Sequence, residues 1–384
     1  MSGVPARGES GVTVHRVRTR SERRRFLELP YRLHRHEPHW VPPLRGEQRW
    51  LVRREANPFF DHGEVRLLVA RRGRRVVGRV AAVDDPRRRD AAGAKEGSFG
   101  LFACAPDVEA ARALFDAAGG WLRARGAESV TGPADFTTND PCGLLVDGFD
   151  RPPAVGMPYH PPYYAELFAA CGLAKAKDLL AWETATTLHE QERIRRVAEF
   201  AGRRGDVTVR PLDLRDFPAE CDRIRSLYNS AWERNWGFVP LTDREFDAQA
   251  RRLRPLLVPD LALVAEVGGE PAAFSLALPD VAPALAAARG RMHTCGVPTG
   301  LFRFLRARRR LDAIRVMAQG VRAEHRFLGL GLLLSVRTSQ AAARLGYRTA
   351  EISWVLEDNE AATLTLRRLG ARPHKRYRLY RYAL

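Results

Sequence analysis

The chain of 384 residues is long enough for two domains of ordinary size, and its 45% of apolar residues can fill two cores, which excludes a disordered chain. Its net charge of +18 would attract phosphates, whether on a small ligand, on nucleic acid or on an anionic membrane surface. Arginine is scattered over the whole chain, so we expect most of this charge to form a solvated basic surface.

The N-terminal residues and the cysteines indicate the cellular compartment. Residues 1–10 are polar and lack the apolar core of a signal peptide, and no apolar stretch is long enough to span a bilayer. The five cysteines are widely spaced, with no Cys-x-x-Cys pair and no histidines in a metal-type arrangement. We therefore expect a cytoplasmic protein, with at most peripheral membrane contact, and no metal site.

Segments of the first half of the chain recur in the second half. The similar pairs are residues 68–85 with 263–280, which both read as a β-hairpin, and residues 164–182 with 362–380. Both pairs are separated by nearly the same number of residues, which indicates a duplication; chance similarity is the alternative. We predict tandem domains at residues 11–187 and 190–384.

The first half differs from the second where a predicted helix begins. Pro106, Asp107 and Glu109 suit a helix start, but their acidic groups would repel a bound phosphate. We therefore expect the first half to pack against the second or to form one wall of its pocket. The aromatic stretch at residues 159–164 is a candidate wall segment, and an aromatic cluster that seals the core is the alternative.

Residues 227–240 are dense in aromatic and amide side chains. They are candidates for the lining of an apolar, partly polar pocket. Burial in the core is the simpler alternative, and we favour it for Trp232 alone.

Residues 300–311 combine bulky apolar side chains with five arginines. Such a basic amphipathic stretch can lie in an anionic membrane interface, which would favour a long-chain acceptor. A solvated helix that packs by its apolar face is the commoner alternative.

The sequence Arg326-Phe327-Leu328-Gly329-Leu330-Gly331 lies between a predicted strand at residues 313–321 and a predicted helix at residues 332–345. Two glycines at a helix start allow backbone N–H groups to approach an anion, and the helix N-terminus adds partial positive charge. We predict a pyrophosphate site here; a tight strand-to-helix connection without a ligand is the alternative. The segment lacks the Gly-Lys-Ser/Thr of a P-loop and the acidic ribose partner of a dinucleotide-binding fold.

From residue 313 onward the chain resembles the acyl-CoA site of the GNAT N-acyltransferase superfamily. The resemblance rests on Arg-x-x-Gly-x-Gly between a strand and a helix, on a second strand at residues 349–356, and on Asn359 with Leu-Arg-Arg-Leu-Gly at residues 366–370. It implies an α/β protein of tandem GNAT-like domains, each a mixed, mostly antiparallel sheet flanked by helices. It also implies an N-acyltransferase that moves an acyl group from acyl-CoA, as co-substrate, to an amine.

Acyl transfer from a thioester to an amine requires an oriented thioester, a neutral amine and a proton donor for the departing thiolate. By the resemblance, the strand before the glycines splays from its neighbour, so that free backbone groups hold the pantetheine arm and polarise the thioester carbonyl. Amides at the helix start would bind the pyrophosphate, with Arg326 or Arg322 adding charge. The residues assigned to the cofactor are Gln319, Gly320, Val321, Arg326, Phe327, Leu328, Gly329, Leu330, Gly331, Leu332 and Asn359.

The sequence alone does not identify the general acid or the general base. Asn359 matches a position that contacts the cofactor arm in the superfamily, with capping of the next helix as the alternative. The superfamily often has a tyrosine acid seven residues later, where this chain has Leu366. Tyr377 and Tyr380 are substitutes for that acid. The candidates for a general base are Glu324, His325 and Asp280, or a water molecule that relays the proton.

Over most of its length the chain resembles one branch of the superfamily, the bacterial ceramide-synthase-like proteins. The resemblance is carried by residues 57–60, Gly132-Pro133, Asn139-Asp140, residues 159–164 and residues 232–240. This branch implies N-acylation of a sphingoid-type amine by a fatty acyl-CoA. His160 stands where the branch pattern has asparagine.

Two other functions stay open on the sequence. One is short-chain acetylation of a soluble amine. The other is non-catalytic nucleic-acid binding, which only the charge supports, because the chain has no clear helix-turn-helix, zinc-finger or RNP-type motif.

Overall fold

The computed structural model describes residues 11–203, 206–233 and 235–384, so that residues 1–10, residues 204–205 and Arg234 lie outside the described residues. In chain order the strands are β1 (Val12–Arg16), β2 (Glu64–Arg72), β3 (Arg75–Asp84), β4 (Glu96–Cys104), β5 (Ser129–Gly132), β6 (Leu144–Asp147), β7 (Ala174–Ala185), β8 (Val207–Pro211), β9 (Ala262–Val267), β10 (Glu270–Pro279), β11 (Ala313–Val321), β12 (Thr349–Leu356) and β13 (Arg372–Ala383). The α-helices are α1 (Arg20–Leu33), α2 (Arg45–Leu51), α3 (Val108–Arg123), α4 (Tyr163–Ala170), α5 (Glu192–Gly202), α6 (Phe217–Trp232), α7 (Asp243–Leu253), α8 (Ala282–Ala288), α9 (Thr299–Arg308), α10 (Leu330–Arg344) and α11 (Glu360–Arg368). Short 3₁₀ helices lie at Pro58–Asp61, Thr186–Glu190, Leu214–Asp216, Arg254–Leu256, Pro259–Leu261 and Ala323–Leu328.

The strands form one mixed sheet in the order β1-β2-β3-β4-β5-β13-β7-β12-β11-β10-β9-β8, with β6 beside β13. Within the described ranges, only β4 with β5 and β11 with β12 pair in parallel, and every other pair of strands is antiparallel. The predicted fold class, a mostly antiparallel α/β protein, is confirmed. Both repeated hairpins are present, as β2–β3 and β9–β10.

The two halves of the chain exchange their last strands. β13 lies between β5 and β7, while β7 lies between β13 and β12, so each half completes its sheet with a strand from the other. Tyr380 of β13 accordingly packs against Phe168 in the core of the first half, with 5.1 Å between ring centroids. Trp182 of β7 packs with Leu366 in the second half. The limits 11–187 and 190–384 stay a prediction, and the sheet runs continuously across them.

Helices cover both faces of the second half. Side chains of a strand alternate between faces, and β9 follows this rule: Leu263 and Ala265 pack with α5 and α10, whereas Ala262 and Val264 pack with Ile224 of α6. The helix α10 therefore lies on one face of the sheet, and α6 lies on the other. No helix within the described ranges is both long and apolar enough to cross a bilayer.

Candidate active site

The sheet opens in the second half between β11 and β12. These strands pair only over residues 313–316 of β11, whose remaining residues pair with β10 alone. Just after β11, the N–H of Arg322 donates to the carbonyl of Ala272 in β10, at 2.9 Å. Since successive residues of a strand direct their backbone groups to opposite neighbours, the N–H groups of Gln319 and Val321 point away from β10. They point into this opening, here called the β11/β12 gap.

Free backbone donors also stand where α10 begins, at one end of the gap. Gly329 precedes the helix with φ of 75°, a left-handed conformation that favours glycine. Among the described residues, the N–H groups of Leu330, Gly331 and Leu332 have no acceptor, as expected for the first turn of a helix. Free N–H donors at a helix start, together with the helix dipole, are able to bind an anion.

The corresponding gap in the first half is closed by the chain itself. The N–H of Leu101 on β4 donates to Oδ1 of Asp135 at 2.8 Å, and the N–H of Cys104 donates to the hydroxyl of Tyr164 at 3.0 Å. Tyr164 is fully buried. Tyr163 and Tyr164 pack in the core of the first half, whereas Tyr159 packs in a cluster with Trp236 and Trp354 of the second half. These placements favour an aromatic cluster that seals the core between the halves, and none of the three tyrosines borders the cavity beside the β11/β12 gap.

A carboxylate occupies the start of α3, the first-half equivalent of α10. Asp107 accepts a hydrogen bond from the N–H of Ala110 at 3.0 Å and lies 2.9 Å from the guanidinium of Arg72, which also contacts Glu109. An anion would meet two carboxylates at this position. This placement agrees with the expectation that the first half holds no pyrophosphate.

A cavity of about 1530 Å³ connects the β11/β12 gap with the space under α6, α7, α8 and α9. This volume exceeds the range of about 300–1,000 Å³ that is usual for small-molecule pockets. Most of its lining is apolar and includes Trp232, Phe246, Leu253, Leu285, Met292 and Phe304. Trp232 is half-buried on the cavity wall, so the expectation that it belongs to the core was wrong. From the same stretch, the cavity is also lined by Tyr228, Asn235, Trp236 and Phe238.

The first half forms part of the cavity wall through residues 138–142 and 155–157. The hydroxyl of Tyr228 on α6 donates to Oδ1 of Asn139 at 2.8 Å, which ties this loop to the second half. The sequence motif Asn139-Asp140 was visible, but no residue pattern indicated that the loop would reach the cavity. Contact between the halves brings it there.

The predicted cofactor residues fall into two groups. Those on the cavity wall are Gln319, Val321, Arg326, Gly329, Gly331, Leu332 and Asn359. Those off the wall are Gly320, Phe327, Leu328 and Leu330. The ring of Phe327 is exposed, and the side chain of Leu330 is fully buried, so only backbone groups of Leu330 could serve a ligand.

Asn359 caps a helix and also lies at the edge of the cavity. Its Oδ1 accepts from the N–H of Ala362 at 3.1 Å and so caps α11. The residue also borders the cavity.

The suggested proton-transfer residues do not line the cavity. Tyr377 is fully buried, and its hydroxyl has no partner among the described residues. Tyr380 lies in the core of the first half because of the strand exchange, and Glu324 lies 3.9 Å from Arg322 on the surface. Asp280 accepts backbone N–H bonds, and burial raises its pKa to about 6. Neither it nor His325 borders the cavity, and these placements argue against the suggested roles.

Arg315 supports the gap and was not predicted. Its buried guanidinium donates to Oγ and to the carbonyl of Ser353 on β12, at 2.9 and 3.0 Å, and to the carbonyl of Val155 at 2.6 Å. Ser353 in turn donates to Glu351 at 2.6 Å. A buried charge requires such partners, so this network fixes the point where β11 and β12 separate.

Metal chemistry has no visible ligand set in this part of the chain. Among the described residues, no group of three or more His, Cys, Asp or Glu side chains is placed to hold a metal ion. The expectation of no metal stays a prediction.

Comparison with known proteins identifies the family, although no protein-family model matches the chain. The chain is 36% identical over 376 residues to the bacterial ceramide synthase of Caulobacter vibrioides, covering 96% of each protein. It is 34% identical over 360 residues to protein YghO of Escherichia coli, covering 92% of this chain and 91% of that protein. The chain belongs to the ceramide-synthase-like branch of the GNAT N-acyltransferases.

Solved GNAT structures share the fold of this family member. A tandem GNAT protein from the clavulanic acid biosynthesis pathway aligns with a TM-score of 0.54 at 16% identity, covering 97% of this chain and 98% of that one. A GCN5-related N-acetyltransferase from Sphaerobacter thermophilus aligns with a TM-score of 0.51 at 14% identity, covering 99% and 97%. These structures show that the chain has the GNAT fold, and its relationship to the bacterial ceramide synthase shows that it is an acyltransferase.

Proposed function

We propose that this enzyme transfers a long acyl chain from acyl-CoA to the amine of a lipid-like acceptor of the sphingoid type. One observation carries the proposal: the free donors at the start of α10 and the β11/β12 gap open into the same large, mostly apolar cavity. The relative from Caulobacter vibrioides is named a bacterial ceramide synthase, which supports a lipid amine as the acceptor.

Each part of the acyl-CoA has matching residues. The N–H groups of Gly331 and Leu332 would bind the pyrophosphate, with the Arg326 guanidinium beside them. The N–H groups of Gln319 and Val321 would bind the pantetheine arm and polarise the thioester carbonyl. The apolar end of the cavity would hold the hydrocarbon chains, because each buried methylene contributes about 0.8 kcal/mol.

Acyl-donor preference tests this proposal against short-chain acetylation. We expect calorimetric affinity and kcat/KM to rise from acetyl-CoA through octanoyl-CoA to palmitoyl-CoA, about tenfold for every two methylenes until the cavity is full. Strong turnover of acetyl-CoA with none of palmitoyl-CoA would exclude the lipid function and favour a soluble amine as acceptor.

The helix α9 offers a surface for an anionic membrane next to the cavity. Its Phe302 side chain is 71% exposed, while Phe304 of the same helix lines the cavity. The arginines of residues 303–310 form no ion pair with the described residues. We propose that this face contacts anionic lipid, because exposed apolar and cationic side chains side by side are typical of interfacial helices.

Vesicle sedimentation tests this contact. The double variant Phe302→Ser, Arg306→Ser should bind phosphatidylglycerol vesicles at least about tenfold more weakly than the parent protein, because it loses one apolar anchor and one charge. The matched variant Leu345→Ser, Arg348→Ser removes an exposed leucine and an exposed arginine elsewhere and should bind like the parent. Equal binding by all three proteins would show that α9 does not contact the membrane.

A further inference from the structure

Three carboxylates border the cavity within the described residues, and they differ in their surroundings: Glu47, Asp140 and Glu220. Glu47 is exposed on α2. Glu220 is held between the guanidinium groups of Arg210 and Arg223. Asp140 has no ion pair among the described residues and is the one carboxylate on the wall that is neither exposed nor neutralised.

Asp140 borders the cavity and has one carboxylate oxygen without a hydrogen-bond partner among the described residues. Both hydrogen bonds to its carboxylate come from Thr137, whose Oγ1 and N–H donate to Oδ2 at 3.1 and 3.3 Å. The other oxygen, Oδ1, accepts no hydrogen bond among the described residues and is not fully buried. A carboxylate held by one oxygen and open at the other can accept a proton from a ligand.

Contacts on either side place Asp140 beside the β11/β12 gap. Cys142, which follows Asp140 closely in the sequence, packs in one cluster with Trp354 and Leu356 of β12. On the other side, Asn139 accepts from Tyr228, whose ring lies 4.6 Å from that of Trp232.

Trp232 completes the link to β11. A Cβ added at Gly320 would lie 3.1 Å from the Trp232 ring, so that ring covers the splayed strand. Asp140 is thus bracketed by groups that contact both edges of the gap.

We propose that Asp140, supplied by the first half of the chain, is the general base that takes a proton from the acceptor ammonium. This inference rests on the proposed function. The nitrogen lone pair then attacks the thioester carbonyl carbon, a C–N bond forms and the C–S bond breaks. The thiolate leaves as the thiol with the second amine proton, and Asp140 returns its proton to solvent.

The electrostatic surroundings suit this task. Burial and, to a smaller extent, the neighbouring Asp135 carboxylate raise the pKa of Asp140 to about 7, although Arg252 on α7 and the hydrogen bonds from Thr137 act in the opposite direction. Cys142 and Tyr228 also face the carboxylate. A carboxylate whose pKa lies near the working pH is charged in a large fraction of the molecules and is still basic enough to take a proton from the acceptor.

The pH profile of palmitoyl transfer to a sphingoid base tests the role of Asp140. In the parent enzyme, kcat/KM should rise with pH through about 7, because only the charged carboxylate accepts the proton. This rise is the acidic limb of the pH profile. Asp140→Asn should lose roughly 10²- to 10⁴-fold in kcat/KM at pH 7 and lose this limb, while its calorimetric affinity for palmitoyl-CoA stays unchanged. The exposed carboxylate variant Asp147→Asn should behave like the parent.

Thr137→Val gives a second, isosteric test. It removes a hydrogen bond to the charged carboxylate, so the limb should move to higher pH. An Asp140→Asn enzyme that keeps the limb, or that loses palmitoyl-CoA affinity as strongly as activity, would overturn the assignment. Absence of acyl transfer by the parent enzyme would instead refute the proposed function.

Discussion

Gly331→Glu should weaken CoA binding at least about a hundredfold. The glutamate would place a negative charge among the N–H groups proposed to bind the pyrophosphate, and charge-assisted hydrogen bonds contribute about 1.5–3 kcal/mol each. A Cβ at this position would lie 3.2 Å from the Gln319 side-chain amide and at an ordinary contact distance of 3.8 Å from Val321, so the fold should tolerate the change. Isothermal titration with CoA measures the effect.

Two further variants separate charge from bulk. Gly331→Ala adds a methyl group without charge and should lose far less affinity than Gly331→Glu. Gly120→Glu adds the same side chain to an exposed site on α3 that has open space around it, and it should bind CoA normally. Gly329 is a poorer test position, because any side chain there is strained at φ of 75°. Undiminished binding by Gly331→Glu would refute the pyrophosphate site.

Ala250→Trp should change the enzyme's preference for chain length. Ala250 lies half-buried on α7 and borders the apolar part of the cavity. An indole there would displace several methylenes, and two methylenes lost from the cavity reduce affinity about tenfold. Turnover of palmitoyl-CoA with a long-chain amine should therefore fall at least about tenfold, with acetyl transfer to a short amine little changed.

Comparison with an exposed helical alanine controls for the added bulk. Ala169→Trp, on α4 of the first half, should leave both activities unchanged. Parallel losses of acetyl and palmitoyl transfer in Ala250→Trp would mean that the cavity does not hold the hydrocarbon.

Local sequence patterns predicted the parts of the site that depend on local geometry. The spacing of Gly329 and Gly331 specifies a helix start with free N–H groups, because helix termini are determined by a few consecutive residues. The hairpins β2–β3 and β9–β10 were predictable for the same reason. The acidic start of α3 also indicated, from three residues, that the first half carries no matching anion site.

The rest of the site depends on pairing between distant parts of the chain. Tyr380 is a candidate on the sequence for the acid that is missing at Leu366, but strand exchange places it in the core of the first half. Asp140 lies far from that segment in sequence and reaches the cavity only through packing between the halves. No periodicity or spacing encodes such contacts, since they are set by which strands pair.

The strand exchange has a consequence for biosynthesis. In the first half, β5 has no neighbour on its β13 side until β13 has been synthesised. A nascent chain that contains only the first half therefore exposes the unpaired edge of β5. The pairing of β5 with β13 joins residues that are far apart in the sequence, such as Gly132 and Tyr380, and such pairing forms slowly. We therefore expect that neither half completes its sheet alone during translation. If the chain were expressed as two separate halves, each fragment would need a strand from the other in order to fold.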